Sequence, residues 1–318
     1  MRKLHLLAGM ARDDIPLRPL GMTGVNVSAL GLGGYHLGKI ENERTAIRLA
    51  HAAIDAGITF LDNAWEYHKG RSETVMGKAI ADRRARVFLM TKVCTHGRDA
   101  REAMRQLEQS LRRLKTDYLD LWQIHECAYD NDAERHFARG GAVEALERAR
   151  RQGKVRFVGF TGHKRPAIHL AMLDRDFPFD ACQLPLNCFD ASFRSFEQEV
   201  LPVLLRRGIA PIGMKSLGGD ARQLKTKAIT AEEGLRYAMS LPVATTISGI
   251  DSMRVLKQNL EVAAGFRPMS KHAMAALRKR VADEAADGRY ELYKTTAMHD
   301  GPIGRAQHGY PNDSELSA

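Results

Sequence analysis

Four residues of this chain could together move a proton at a polar bond: Asp62, Tyr67, Lys92 and His125. Asp62 closes the apolar run ITFLD, and Tyr67 stands five places later in LDNAWEYHKG. Lys92 closes VFLMTK, and His125 closes YLDLWQIH, just before Glu126. A lysine at the end of an apolar strand needs an anion, because desolvating an ammonium is expensive without one. Asp62, at the end of the preceding run, is the natural partner. An ammonium beside a phenol favours the phenolate, so the Tyr67 pKa is expected to fall. Such a phenol can donate a proton near neutral pH and take it back in reverse. His125 can orient a substrate oxygen or share in the relay. Taken singly, the four read as an ion pair, a packed aromatic and a satisfied core histidine. Their position at the ends of successive runs favours chemistry.

Those runs have to be held in register. Eight apolar runs of strand length recur, at 27–33, 58–62, 87–92, 118–125, 155–162, 181–186, 209–215 and 244–250. Helix-period segments lie between them: ERTAIRLAHAAIDAG capped at Gly57, SETVMGKAIAD with Ser72 as its N-cap, DAREAMRQLEQSLRRL, GAVEALERARRQGK, SFEQEVLPVLLRRG, AEEGLRYAMSL and SMRVLKQNLEVAAG. Parallel strands need such crossovers. Eight units predict an α/β fold, a (β/α)8 TIM barrel. The glycine-punctuated LRPLGMTGVNVSALGLG predicts a β-hairpin closing the barrel floor. Residues 1–17 read as an N-terminal extension, 18–265 as the barrel, and 266–318 as a C-terminal helix and tail of the same domain. The tail lacks a helical period and could drape over the barrel mouth. GLGGYHLG at 31–38 argues weakly for a doubly wound dinucleotide fold: position 36 is His36, not glycine, and the segment is expected to enter a loop.

Composition narrows the class. The chain has 318 residues, 44% of them hydrophobic and 27% charged, as in a globular protein. No run approaches the roughly twenty apolar residues of a membrane helix. The start, MRKLHLLAGMARDD, lacks a convincing apolar core and cleavage site, so it reads as a leader-like extension and not a signal peptide. The net charge of +10 comes with interleaved acids and no nucleic-acid motif. Cys94, Cys127, Cys182 and Cys188 form no CxxC pair, so reduced thiols in a cytoplasmic protein are expected. The 12 histidines show no HxH, HxxxH or HxxEH spacing, and there is no GxSxG elbow; neither a metal site nor a serine hydrolase is expected.

In such a barrel the C-terminal ends of the strands converge on one face. They add Thr161, His163, Gln183, Asn187, Lys215 and Ser216 to the four. Tyr35, His36 and Trp65 are expected to line a substrate pocket, Trp122 to pack in the core, and His163 to lie at the surface. Lys215 opens the glycine-rich stretch SLGG, whose backbone amides can approach phosphate closely.

The whole pattern resembles the aldo-keto reductase family. The carriers are LGMTGVNVSALGLGG, FLDNAWEYHKGRSE, LMTK, YLDLWQIH, GKVRFVGFTG, CQLPLN and SGIDSMRVLKQNL, in order across residues 18–262. The resemblance implies hydride transfer from a reduced nicotinamide to an aldehyde or ketone. It implies Tyr67 as general acid, Lys92 and Asp62 as the pair that tunes it, and His125 at the carbonyl. It also implies Gln183 against the nicotinamide carboxamide, in a cofactor set of Gly33, Gly34, Thr161, Gln183, Met214, Lys215, Leu217, Gly249, Arg254 and Asn259. The chain departs from the family in places. Thr161 and Gly162 stand where serine then asparagine are usual, and Met214 where an aromatic stacks. Gly249 and Ile250 stand where a basic residue often meets the adenosine 2′-phosphate, leaving Arg254, Lys257 or Asn259 for that role. NADP(H) is the expected cofactor ahead of NAD(H), and a small-molecule carbonyl compound the expected partner, with no nucleic acid or membrane. The alternative is a nicotinamide-nucleotide-binding sensor or regulatory subunit with little turnover. A lysine Schiff base at Lys92 is disfavoured, since pairing with Asp62 keeps the amine protonated.

Overall fold

In chain order, a computed structural model describes residues 14–94, 99–297 and 299–300. Two short strands come first, β1 (Leu17–Pro19) and β2 (Asn26–Ser28), paired antiparallel. Next are β3 (Leu30–Gly33), α1 (Gly34–Lys39), α2 (Glu43–Asp55), β4 (Phe60–Asp62), α3 (Arg71–Ile80), β5 (Phe88–Cys94), α4 (Ala100–Leu114), β6 (Leu119–His125), α5 (Asp132–Phe137), α6 (Ala142–Arg151), β7 (Val155–Thr161) and α7 (Pro166–Leu173). The second half holds β8 (Ala181–Pro185), α8 (Phe196–Glu199), α9 (Leu201–Arg206), β9 (Ala210–Met214), α10 (Ala231–Ser240), β10 (Thr245–Ser248) and α11 (Met253–Ala263). Beyond them come α12 (Lys271–Ala285) and α13 (Leu292–Thr295). Strands β3 to β10 are parallel and close into one barrel, β10 pairing with both β9 and β3. This is the (β/α)8 barrel the sequence predicts.

Strand alternation sets what the barrel holds. Phe60, Phe88, Met90, Leu121, Ala181, Ala210 and Ile212 pack together inside, and Leu20 and Val27 of the hairpin plug them from below. The Phe60 and Phe88 rings stack at 5.1 Å. Further up, the inward side chains of five strands turn polar, Asp62 on β4, Lys92 on β5, Gln123 on β6, Thr161 on β7 and Gln183 on β8, while β9 ends on the apolar Met214. The intervening residues, Leu61, Leu89 and the fully buried Trp122 among them, face the helices in the outer core. Trp122 is therefore core, as expected.

Several local expectations change. The run 27–33 is two strands, because Ser28 peels the chain away from the hairpin. Its Oγ donates to Leu30 O at 2.7 Å and accepts from Thr59 N at 2.9 Å. Helix α1 succeeds β3 directly, where the sequence predicts a loop. Ser72 lies inside α3 and does not cap it; its hydroxyl donates to Gly34 O at 2.6 Å, while Gly70, at φ 87°, precedes the helix. The segment 195–208 is two short helices, with Pro202 in the first turn of the second. The tail contains α13. The leader-like segment 1–13 and residues 301–318 lie outside the described residues. Among the described residues, no helix is long and apolar enough to cross a membrane.

Candidate active site

The strand register stacks the polar layer. Gly33 pairs with Asp62 across β3 and β4, Asp62 with Met90 across β4 and β5, and Lys92 with Gln123 across β5 and β6. Asp62 and Lys92 are 5% and 1% exposed. The Lys92 ammonium donates to Asp62 Oδ1 and, at 2.8 Å, to Asn63 O. Past β4 the chain keeps the ladder going for two more bonds, Asn63 N to Met90 O at 2.9 Å and Trp65 N to Lys92 O at 3.0 Å. It then turns tightly, with His68 and Lys69 at φ 51° and 56°, and this turn carries Tyr67 back over the barrel. The Tyr67 hydroxyl stands 3.4 Å from Lys92 Nζ, and its ring meets those of His125 and Tyr35 edge-on at 5.6 and 5.3 Å. The structure thus brings Asp62, Tyr67, Lys92 and His125 into one cluster.

The electrostatics differ from the expectation in one respect. Burial pushes the Tyr67 phenol well above its ordinary pKa, and the carboxylates of Asp62, Glu66 and Glu126 push the same way. The lysine does not win, because Asp62 already neutralises it and three carboxylates face the ring. Lys92 itself is pulled down by burial, with Asp62 opposing. Tyr67 therefore stays a neutral phenol in this setting.

Glu66 enters the site without having been singled out from the sequence. Its Oε1 lies 2.8 Å from His125 Nδ1, and both side chains are largely buried, at 11% and 13% exposure. Nothing in its neighbourhood signals this, since the two residues lie 59 positions apart and meet only when β4 and β6 share a barrel.

The remaining candidates divide. Gln183 is buried; its Nε2 donates to Asp62 Oδ2 at 3.3 Å, while its Oε1 has no hydrogen-bond partner among the described residues. Thr161 is buried at the end of β7. Gly162 admits no side chain, since a Cβ there would lie 2.3 Å from Cys127 O. Met214, at the end of β9, and Leu217, just past it, are half-buried. Lys215, at φ 56°, holds its ammonium 5.3 Å from the Tyr293 ring, and burial pulls its pKa down to about 8. Gly33 and Gly34 have a packing role: a Cβ would lie 2.9 Å from Ser248 O and 2.5 Å from Asp62 O respectively. Gly249 lies under the His36 ring, which a Cβ would strike at 2.2 Å. Asn259 donates to Ser248 Oγ at 2.8 Å, tying α11 to the end of β10, and Arg254 is exposed on the same helix. Tyr35 is exposed beside Tyr67. Trp65 turns to α4, donating to Gln109 Oε1 at 2.7 Å.

His163 is not at the surface. It is 5% exposed, its pKa falls to about 3 through burial, and its Nε2 stands 3.5 Å from Asp300 and 3.7 Å from Glu126. The reason is the tail, which covers it. Lys164 Nζ pairs with Asp300 Oδ1 at 2.8 Å. Further back, Lys294 is fully buried and donates to Asp190 Oδ1 at 2.6 Å and Glu291 Oε2 at 3.0 Å. Asn187, after β8, donates to Glu291 and to the Tyr293 hydroxyl, both at 3.0 Å. The described part of the tail therefore drapes over the barrel mouth.

This geometry coincides with a match to known proteins. Residues 29–233 match the model of the Aldo/keto reductase family. A Bacillus subtilis protein named "uncharacterized oxidoreductase YqkF" is 27% identical over 304 residues, covering 82% of this chain and 94% of that protein. The solved aldo-keto reductase of Bacillus halodurans shares the fold, with TM-score 0.71 at 24% identity over 84% of this chain and 96% of that one. A Klebsiella pneumoniae aldo/keto reductase, solved with NADP and acetate, has TM-score 0.68 at 25% identity, covering 83% and 95%. A closed barrel of this strand order and a family match spanning most of it lead to one statement: the chain belongs to the aldo/keto reductase family.

Proposed function

We propose that the protein is a cytoplasmic NAD(P)H-dependent reductase of small aldehydes or ketones, with Tyr67 as the proton donor. The observation that carries this is the cluster itself: a neutral phenol, a buried ammonium, its carboxylate and an imidazole at the ends of adjacent strands. The residues present fit a nicotinamide. Gln183 Oε1 is a buried carbonyl oxygen without a partner among the described residues, which suits the amide N–H of a carboxamide. Gln183 and Thr161 would hold the ring end, with Met214 beside it; Lys215 and the loop to Leu217 would meet the pyrophosphate, and Gly249, Arg254 and Asn259 border the adenosine end. Bound reduced nicotinamide supplies the hydride. NADP(H) is favoured, and the K. pneumoniae relative's complex with NADP supports that order.

The chain's own part is positional and electrostatic. His125 orients the carbonyl oxygen towards Tyr67. As negative charge grows on that oxygen, the phenol gives up its proton. Lys92, 3.4 Å from the hydroxyl, then stabilises the phenolate that is left. Asp62 and Asn63 O fix the ammonium in place. Burial keeps water from the exchange. The buried thiols of Cys182 and Cys188, held in no disulfide, support a reducing compartment.

The test is fluorescence titration with NADPH and NADH, and then turnover with a panel of aldehydes and ketones. Saturable binding with turnover of at least one class is expected. Tight binding with no turnover on the whole panel contradicts the reading and moves the chain to a nucleotide sensor.

A further inference from the structure

The turn that carries Tyr67 rests on an ion pair outside the four-residue cluster. Between Trp65 and Gly70 two consecutive non-glycine residues, His68 and Lys69, lie in the left-handed region, at φ 51° and 56°. An unsupported chain avoids that conformation, so surrounding contacts must impose it. Arg113, near the end of α4, reaches both ends of the turn. Its Nη1 donates to Trp65 O at 2.9 Å, while Trp65 N donates to Lys92 O on the strand side. Its guanidinium lies against Gly70, at φ 87°, where a Cβ would strike Cζ. The same Nη1 donates to Glu73 Oε2 at 3.1 Å, and Glu73, on α3, is fully buried. The other Glu73 oxygen, Oε1, accepts from Thr91 Oγ1 at 2.7 Å, and Thr91 immediately precedes Lys92 on β5. One network therefore joins the strand that delivers the ammonium to the turn that delivers the phenol. The outer side of the turn has ties of its own, to α1 and the chain just after it: His68 Nε2 lies 2.8 Å from Tyr35 O, and Arg71 Nη2 donates to Ile40 O at 2.6 Å.

We propose that Arg113 is a positioning residue: braced by Glu73, it sets the turn at 65–70 so that the Tyr67 hydroxyl meets Lys92 Nζ. In this role it touches neither substrate nor cofactor and acts through Tyr67. The kinetic consequence rests on the reductase reading; the ordering of the turn does not. Misplacing a reacting group by about 1 Å can cost about a hundredfold in rate, and a hydroxyl 3.4 Å from its ammonium has little distance to spare. A guanidinium suits the task because it is planar and fixes the direction of its donors, so that one nitrogen serves a carboxylate and a carbonyl at once.

The test uses Arg113→Ala and, because that variant leaves Glu73 buried without its cation, also Arg113→Ala combined with Glu73→Gln. Exchange of the amide hydrogens of residues 65–70 is followed by mass spectrometry in the full chain. Both variants are expected to exchange there roughly tenfold faster than the wild type, with β6 and β7 unchanged, and millimolar guanidinium to restore protection. In turnover, kcat should fall roughly ten- to a hundredfold with KM and the NADPH Kd little changed, and guanidinium should return part of it. In a Tyr67→Phe background, Arg113→Ala should add no further loss. Unchanged exchange at 65–70 overturns the proposal and assigns the turn to its outer ties. Losses that multiply in the Tyr67→Phe background overturn it too, since Arg113 would then act on something other than the phenol. If Arg113→Ala does not fold, the double variant, which strands no charge, decides it. A wild type that turns over no carbonyl sinks the reductase reading and leaves the exchange result standing.

Discussion

Lys92 Nζ lies 3.4 Å from the Tyr67 hydroxyl while also donating to Asp62 and to the backbone oxygen of Asn63. One ammonium thus touches an anion, a carbonyl and the candidate acid, inside a barrel where it is 1% exposed. Removing either member of the pair leaves the other as an unpaired buried charge.

Lys92→Met leaves Asp62 buried without its cation. The cost expected is about 3–5 kcal/mol of stability, as for other buried pairs broken on one side. Asp62→Leu combined with Lys92→Met should recover much of that stability and none of the turnover. Denaturant unfolding alongside carbonyl reduction reads both; a double variant no more stable than Lys92→Met contradicts the pairing.

Gln183→Leu removes an unpartnered buried acceptor from the polar layer. NADPH and NADH should each bind about tenfold more weakly, the order of one hydrogen bond of about 1–1.5 kcal/mol. Unchanged titration curves for both nucleotides would remove Gln183 from the cofactor set.

Lys294→Met tests the tail. Asp190 and Glu291 would be left buried without their shared cation, again at about 3–5 kcal/mol. Faster proteolysis in the segment from 287 onward is expected, since α13 is held down by this lysine. Retained protection there would assign the tail's hold to other contacts.

The pH dependence has a worked sign. Burial holds His163 and His169 neutral, with folded pKa values of about 3 and about 4 against an ordinary 6.5. Below pH 6.5 the unfolded chain binds protons that the folded chain refuses, so stability falls as pH falls, down to about 4 for His169 and about 3 for His163. Each contributes a slope of at most about 1.4 kcal/mol per pH unit. His169 packs between the Phe160 and Phe196 rings at 5.4 and 4.9 Å. His169→Leu should therefore flatten the acid limb of an unfolding-midpoint profile. A profile of unchanged slope would contradict this account of His169.

The barrel is legible because its strands are apolar runs at crossover spacing, and the tyrosine, lysine, aspartate and histidine because they end those runs or stand just past one. The illegible features depend on partners distant in sequence. Glu66 means nothing until β6 delivers His125. His163 reads as a surface residue because Asp300, which covers it, lies 137 positions away in a segment without period. Helix α1 opens at Gly34 with no apolar repeat to announce it. The Tyr67 shift takes the opposite direction to the one expected because the sequence presents one lysine near the tyrosine, whereas the fold adds Glu66 and Glu126 to Asp62 and removes the water.

The central claim is that Tyr67 delivers the proton in carbonyl reduction. The most direct measurement is single-turnover oxidation of bound NADPH by a good carbonyl substrate, in the wild type and in Tyr67→Phe. The account predicts unchanged NADPH affinity and a rate about a hundred- to ten-thousandfold lower in the variant. A Tyr67→Phe protein that reduces the carbonyl as fast as the wild type would contradict it.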